Sequence, residues 1–514
     1  MDRFNILLIA LLMHVSFGVY ASSSVNNYIK EYQSQLFYPE IVASFYPYSQ
    51  LKWQLVKDRR QLKNQLGLLV LADVNDDLQK RYDLLQQTQG LEFDILATDT
   101  LLYFSVYKEL IATHGIKWLF GGRLDGNIGQ PSAFAINTIN QHFQTNNLYQ
   151  LVITLQPQSE QYSDLYERLY LYYDPYHQEA PKLEITRLLK PNQIIPYKSL
   201  VYRLNISGDL NKRQLQYFLK KDSSIYNEEL VTIVKGFQER HGLVADGIIG
   251  EKTLYWLNMS ANERVRIIAL NIQRLRLWEE KSNRFVLVNI PSYEMGYFQE
   301  GELIFKSKVI VGKPARRTPL FTTRLDSIVF NPKWKVPTKI MREDILPKAF
   351  DNKEYLTEHN FEVLPSWLSN NVIPFESIKW EEMTAENFPY KLRQKPGGTN
   401  ALGKYKFNTP NKNSIYLHDT PLRSLFKKQH RAYSSGCIRV EKASEFAQLL
   451  MEESDYTATD YENYNQLPKT NSVGLGQKIA VYTTYQTTWI DDKDIIQFRD
   501  DIYKYDEWSK SKID

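Results

Sequence analysis

A chain of 514 residues with a single cysteine, Cys437, can close no internal disulfide. It cannot supply a thiolate cluster for zinc either, and no two of its histidines stand at the close helical spacing of a zinc motif. Charge of one sign is scarce too: 63 Lys and Arg face 59 Asp and Glu, the net charge is +4, and the charges are scattered. That balance argues against nucleic acid as the main partner. Beyond the N-terminus no segment is apolar enough to span a bilayer. Composition leaves Cys437 with two readings, a reactive thiol or a small buried hydrophobe.

What is present begins with MDRFNILLIALLMHVSFGVYASSS, one Arg followed by an apolar stretch and small residues near Ala21. This layout predicts a secretory signal peptide over residues 1–21, with an uncleaved anchor next and a buried core helix last. In the first two cases the remainder lies outside the cytoplasm, in the periplasm if the source is Gram-negative. The rest of the chain suffices for about three domains. Thirty-five tyrosines suit a protein that meets a sugar-rich surface, although tyrosines also pack at the edges of cores.

Residues 22–195 read as a mostly helical scaffold, with periodic runs such as ELIATHGIKWL and LYERLYLYYD. Its Asp94, Asp99, His114, His142 and His177 read as solvated or satisfied groups rather than a site. Residues 196–260 form a compact unit in which Leu230, Ile233, Val234 and Phe237 follow helical spacing. His241-Gly242 ends that helix, and Asp246-Gly247 and Gly250 mark a tight turn before a second helix. FQ, then HGL, then ADGIIG and T resemble the peptidoglycan-binding domain of cell-wall enzymes. The resemblance implies contact with glycan or stem peptide through Phe237, His241, Asp246 and Gly247; a structural module that no longer binds is the alternative.

A charged helical connector over 261–283 leads into strands. RFVLVNIP is apolar on both faces, as in a central strand, and YEMGYFQEGELIFKSKVIVGK is a hairpin with Gly301 at its turn. DSIVFNP, KYKFN, NSIYLHDT and KIAVYTTYQTTWI are further strands, giving a β-rich domain over 284–500 and a tail over 501–514. Residues 338–398 interrupt it with helical or irregular sequence bordered by Pro and Gly, an insertion placed to act as a lid.

The chemistry lies in IYLHDT and HRAYSSGCIRVEK. Alternation puts Tyr416 and His418 on one face of a strand, and Cys437 follows His418 by 19 positions, after the helical excursion PLRSLFKKQH. A thiol is mostly protonated at neutral pH and needs a base, for which His418 is the best partner; His430 reads as part of a solvated loop. Ser435-Gly436 gives a low-bulk backbone whose N–H groups can point at one oxygen, or an ordinary turn. Arg439, two residues on, can hold a substrate carboxylate or pair with Glu441 or another acid.

HDT followed by SSGCIRV resembles the active-site signature of the L,D-transpeptidases that crosslink peptidoglycan. RFVLVNIPSYEM, KVIVGKPARRTP, FNPKWKVP, RQKPGGTNALGKYKF and VYTTYQTTWID resemble their large multidomain periplasmic members in Gram-negative bacteria, through about 284–491. The resemblance implies a multidomain α+β protein: helical scaffold, small helical binding domain, and β-sandwich-like catalytic domain with an inserted lid. Carried over, Cys437 is the nucleophile and His418 the base. Gly436 and the Cys437 backbone are the oxyanion donors, with Ser435 and Tyr416 beside them, and Arg439 contacts substrate. Smaller relatives place a His where Ser435 stands.

The implied reaction attacks the third-residue carbonyl of a tetrapeptide stem, expels D-Ala, and joins the acyl group to a diaminopimelate amine of a second stem. No cofactor and no metal is implied. The partners are peptidoglycan peptides and glycan, with other cell-wall synthases as candidates, no nucleic acid, and membrane only through an uncleaved N-terminus. Carbapenems would acylate the same thiol. A hydrolase using that thiol, as an L,D-carboxypeptidase or a wall-protein-releasing enzyme, and a non-catalytic wall-binding scaffold are the alternatives.

Overall fold

The computed structural model describes residues 27–47, 50–124, 128–173, 181–221, 223–278, 282–352 and 354–507. The leader expected over 1–21, His177 and the end of the expected tail lie outside them. The chain divides into two units, residues 1–279 with 487–514, and residues 280–486.

The first unit is helical. Its longest helix, Gly90–Leu119, is buried at every residue from Phe93 to Tyr107. Two carboxylates in that stretch are satisfied locally. Asp94 accepts the N–H groups of Lys52 (2.6 Å) and Trp53 (2.9 Å), while Asp99 accepts those of Phe37 and Tyr38 and pairs with Arg81 at 2.6 Å. Buried acids with full sets of partners are structural, in line with the reading of this region as a scaffold. Among the described residues no helix is long and apolar enough to cross a membrane.

The small helical module follows from its caps. Asn211 forms a capping box on Lys212–Lys220, and the Asn227 side chain accepts from Leu230 N at 3.1 Å to start Glu228–Arg240. Gly247 takes φ +75°, and Asp246 Oδ1 closes the turn on Ile248 N at 2.8 Å.

Here the structure corrects two of the expected ligand contacts. Phe237 is 0% and His241 1% exposed, so both are core residues and cannot meet glycan. Asp246 and Gly247 build the turn, with Gly247 N donating to Gln238 Oε1 at 2.8 Å.

The boundary expected at residue 500 also moves. Residues 487–507 belong with the helical unit, where Thr488–Ile490 pairs with Ile496–Phe498. Phe498 is fully buried and stacks on His241, with ring centroids 5.3 Å apart. Trp256 Nε1 donates to Asp500 Oδ1 at 3.0 Å, and Arg274, on the helix Ala261–Arg274, pairs with Asp506 at 2.6 Å. Scaffold, module, connector helix and this hairpin share one continuous apolar core. The charged connector helix is interior, with Arg264 and Arg274 both 0% exposed. Nothing in the hydrophobicity of KIAVYTTYQTTWI, expected as one strand, marks the change of unit within it.

The second unit is built on β1 (Arg284–Asn289), β2 (Glu294–Gln299), β3 (Glu302–Gly312) and β4 (Thr322–Phe330). After these come β5 (Trp334–Lys335), β6 (Phe361–Leu364), β7 (Lys391–Gln394) and β8 (Tyr405–Asn408). The last four are β9 (Leu417–His418), β10 (Ala432–Ser434), β11 (Ile438–Val440) and β12 (Asn471–Thr484). Nine strands form one sheet in the order β10-β3-β11-β9-β8-β4-β12-β1-β2, and β2 also pairs with β3, so the sheet closes on itself. Glu300 and Gly301 have φ of +50° and +90°, the left-handed pair a tight hairpin requires, which places Gly301 at the expected turn.

The insertion is more ordered than its sequence suggested. β5, β7 and β6 form a separate three-stranded sheet. Val336, Met341, Leu346, Val363, Trp380 and Leu392 close an independent core against it. FEVL and KLRQ are strands of four residues each, too short for alternation to stand out between Pro- and Gly-rich flanks.

Candidate active site

β9 and β11 run parallel, with Leu417 opposite Ile438 and His418 opposite Arg439; Ile438 N donates to Tyr416 O at 3.1 Å. Paired residues in a sheet project their side chains to the same face. The register therefore sets Tyr416, His418, Cys437 and Arg439 on one face, and all four line one cavity of about 480 Å³. The opposite wall comes from the insertion and its approach, including Trp334, Ile340, Glu343 and Asp344.

His418 is 4% exposed, and its Nδ1–H donates to the Asp419 carbonyl at 2.5 Å. This bond leaves Nε2 as the basic nitrogen of the neutral ring. Burial, then the nearby Arg439 and Lys406 cations, push the imidazole pKa down to about 3, against the pull of the Asp419 and Leu402 carbonyls. His418 is thus neutral at physiological pH. Asp419 is itself anchored, accepting Lys404 N at 2.9 Å and Arg423 at 2.7 Å.

Cys437 is half-buried, and burial raises its thiol pKa. The Tyr416 amide and hydroxyl, Lys406 and Arg439 act in the other direction and favour the thiolate. Sγ contacts the Ser414 carbonyl at 3.8 Å. The resting pair is therefore neutral thiol and neutral imidazole in one cavity, the thiol turned toward Ser414.

The loop before Cys437 is held from several sides. Ser434 Oγ donates to the Cys437 carbonyl at 2.5 Å, and Thr318 Oγ1 donates to the Gly436 carbonyl at 2.8 Å. Gly436 takes φ +116°. Its N–H donates to Ser434 Oγ at 3.1 Å, which corrects its expected place as an oxyanion donor: that hydrogen already has an acceptor. The Cys437 N–H is the donor left of the expected pair.

Ser435 Oγ accepts from Arg316 Nη1 at 2.8 Å. The same guanidinium binds Asp344, and Glu343 at 2.5 Å, on the π-helical turn Met341–Ile345 of the insertion. Ser435 is therefore an anchor of the loop rather than a free substrate contact. Sequence reading missed Arg316, because KPARRTP offers two adjacent arginines and no spacing that selects one.

The buried Nε of Arg439 has no hydrogen-bond partner among the described residues. The expected alternative, a bridge to Glu441, is not formed. Burial lowers its pKa and Cys437 acts against that shift. A guanidinium lining the cavity of Cys437 with a partnerless Nε is fitted to an anionic group on a ligand.

Residues 283–474 match the YkuD family model, an L,D-transpeptidase catalytic domain, and residues 204–257 match a "putative peptidoglycan binding domain". A "Putative L,D-transpeptidase" of Haemophilus influenzae is 43% identical over 239 residues, 46% of this chain and 48% of that protein, so the chain spans about half the length of this curated relative. Among solved structures, an L,D-transpeptidase from Stackebrandtia nassauensis is 14% identical, with 59% of this chain and 96% of that one covered and a TM-score of 0.21. One from Mycobacterium smegmatis is 14% identical, with 39% and 58% covered and a TM-score of 0.18. The cavity of Cys437 and His418 lies within the segment that matches the L,D-transpeptidase catalytic-domain model, and the same chain carries a segment matching a peptidoglycan-binding domain.

Proposed function

We propose that the chain crosslinks peptidoglycan by cysteine acyl transfer, in the periplasm and after export by its N-terminal segment. The observation that carries this is the shared face of Tyr416, His418, Cys437 and Arg439 set by the β9–β11 register. In the donor half, the thiol turns from Ser414 and gives its proton to His418 Nε2. Sγ then bonds to the carbonyl carbon of the third stem residue, a diaminopimelate.

The oxyanion is met by the Cys437 N–H, and Arg439 holds a carboxylate of the stem. Collapse breaks the amide to the terminal D-Ala, whose nitrogen takes the proton from His418. In the acceptor half, a side-chain amine of a second stem loses a proton to His418 and attacks the thioester. The new amide joins two third residues, and the thiol is restored. The binding-type domain supports residence on the wall through a surface other than its buried Phe237 and His241. Carbapenems, which open to an acyl group, would modify the same sulfur.

The test is incubation of the purified protein with disaccharide-tetrapeptide, read by mass spectrometry. Dimers linked between third residues with release of D-Ala, absent in Cys437→Ala, are expected. Trimmed monomers without dimers would make the enzyme a hydrolase. No reaction in either protein would leave a wall-binding scaffold.

A further inference from the structure

One cation near the cavity has no part in the steps above. Lys406, on β8, pairs in register with His418 on β9, and His418 pairs with Arg439 on β11. The three side chains make one row across three strands, on the face that carries Cys437 and Tyr416. The Lys406 ammonium lies over the Tyr416 ring, 4.4 Å from its centroid, a close cation–π contact. Tyr416 is the residue beside Cys437 in the next row, and its amide and hydroxyl both act on the sulfur.

We propose that Lys406 is a positioning residue of the transfer reaction: seated on Tyr416 and next to His418, it completes with Arg439 a pair of cations bracketing the sulfur, so that Cys437 ionises within reach of its base. The proposal rests on the reading of Cys437 as nucleophile. The proton involved leaves Sγ for His418 Nε2, and Lys406 exchanges none.

The charges around this row favour the arrangement. Cys437 is faced by Tyr416 and His418 from β9, by Arg439 from β11 and by Lys406 from β8. Lys313, Lys348, Tyr433, Glu343 and Asp344 line the same cavity. The two acids among these are bound to Arg316 and so offset little of the positive potential at the sulfur. Lys406 itself is faced by Asp326, which holds its proton, and by Lys335, which opposes it; burial draws its pKa down and the sulfur draws it up. A cation over a ring in a partly dry site acts more strongly than one in water. Arg439 is expected to be engaged by the substrate carboxylate, whereas Lys406 stays on the Tyr416 ring and keeps its charge directed at the sulfur through the reaction.

The single cysteine makes the test direct, because iodoacetamide adds one carbamidomethyl group at one place in the full-length chain. Its rate is measured against pH for wild type, Lys406→Met, Lys406→Gln and Lys406→Arg, with D-Ala release from disaccharide-tetrapeptide followed in parallel. The midpoint of alkylation is expected to rise by about 0.5 to 1 pH unit in the Met and Gln variants, a loss of about three- to tenfold in rate at pH 7, and to stay near wild type in the Arg variant. Gln, which keeps a polar end on a similar stem, decides the matter if the Met variant does not fold. An unchanged midpoint in the neutral variants, with D-Ala released by wild type, overturns the role of Lys406 and leaves the transpeptidase reading standing. A shifted midpoint in a protein that releases no D-Ala supports the electrostatic role and sinks the reading of function.

Discussion

Arg316 Nη1 donates to Ser435 Oγ at 2.8 Å while the same guanidinium grips Glu343 and Asp344 of the insertion. One side chain, 9% exposed, thus joins the loop carrying Cys437 to the facing side of the cavity. Removing it leaves a hydroxyl and two carboxylates without their shared donor. Arg316→Met is expected to lower D-Ala release about tenfold or more and to cost about 1–3 kcal/mol of stability in the catalytic unit. Hydrogen exchange at residues 341–345 should rise in the same variant; unchanged protection there would show that the insertion is held by its own core alone.

The buried, neutral His418 sets a pH dependence with a definite sign. Its folded pKa, about 3, lies below the ordinary value of 6.5. Between those limits the unfolded chain binds the extra proton, so this group's contribution to stability is present above about pH 6.5 and declines as pH falls toward 3. Urea midpoints for wild type should drop across that window, and His418→Gln should drop less. Donor-step kcat/KM in the free enzyme should show no acid limb near pH 6.5, because the neutral imidazole that accepts the thiol proton persists down to about pH 3.

Gly436 is a position where side-chain freedom is closed. With φ at +116°, a Cβ would strain the backbone and approach Ile415 Cδ1 to 3.1 Å. Gly436→Ala is expected to reduce carbapenem acylation of Cys437 about a hundredfold, with about 1–3 kcal/mol lost in stability. Intact-mass kinetics would read the first and thermal unfolding the second; acylation at the wild-type rate would mean that the loop tolerates a different path.

Phe498 is 0% exposed and lies against His241 and Trp256, with centroids 5.3 and 6.0 Å away. Phe498→Ala should cost about 3–5 kcal/mol and lower the melting temperature of the helical unit. Thiol alkylation at Cys437 gives an independent reading of the catalytic unit and should change little. A melting temperature equal to wild type would place the hairpin outside that unit's cooperative core.

The site was more legible in the sequence than the architecture around it. HDT and SSGCIRV are contiguous strings whose register follows from strand alternation, and the structure gathers Tyr416, His418, Cys437 and Arg439 on one cavity face. Features that depend on meetings between distant segments could not be read: Arg316 reaching Ser435 and Asp344, or Phe498 filling the core beside His241. Phe237 and His241 look alike in sequence whether a module binds ligand or is packed inside. The His241 ring packs on Phe498, from a hairpin more than 240 positions downstream.

The placement of residues 487–507 has a consequence for biogenesis. The helical unit is discontinuous: its chain leaves near residue 279 and returns only after the catalytic unit has been made. Its core therefore stays open at His241 and Trp256 until the whole enzymatic segment has emerged and folded well enough to deliver Phe498. A ribosome that stops early, or a protease that cuts inside the catalytic unit before the core closes, yields helices with an unfilled apolar hole. Until residue 498 arrives, the helical unit lacks the ring that packs against His241 and Trp256.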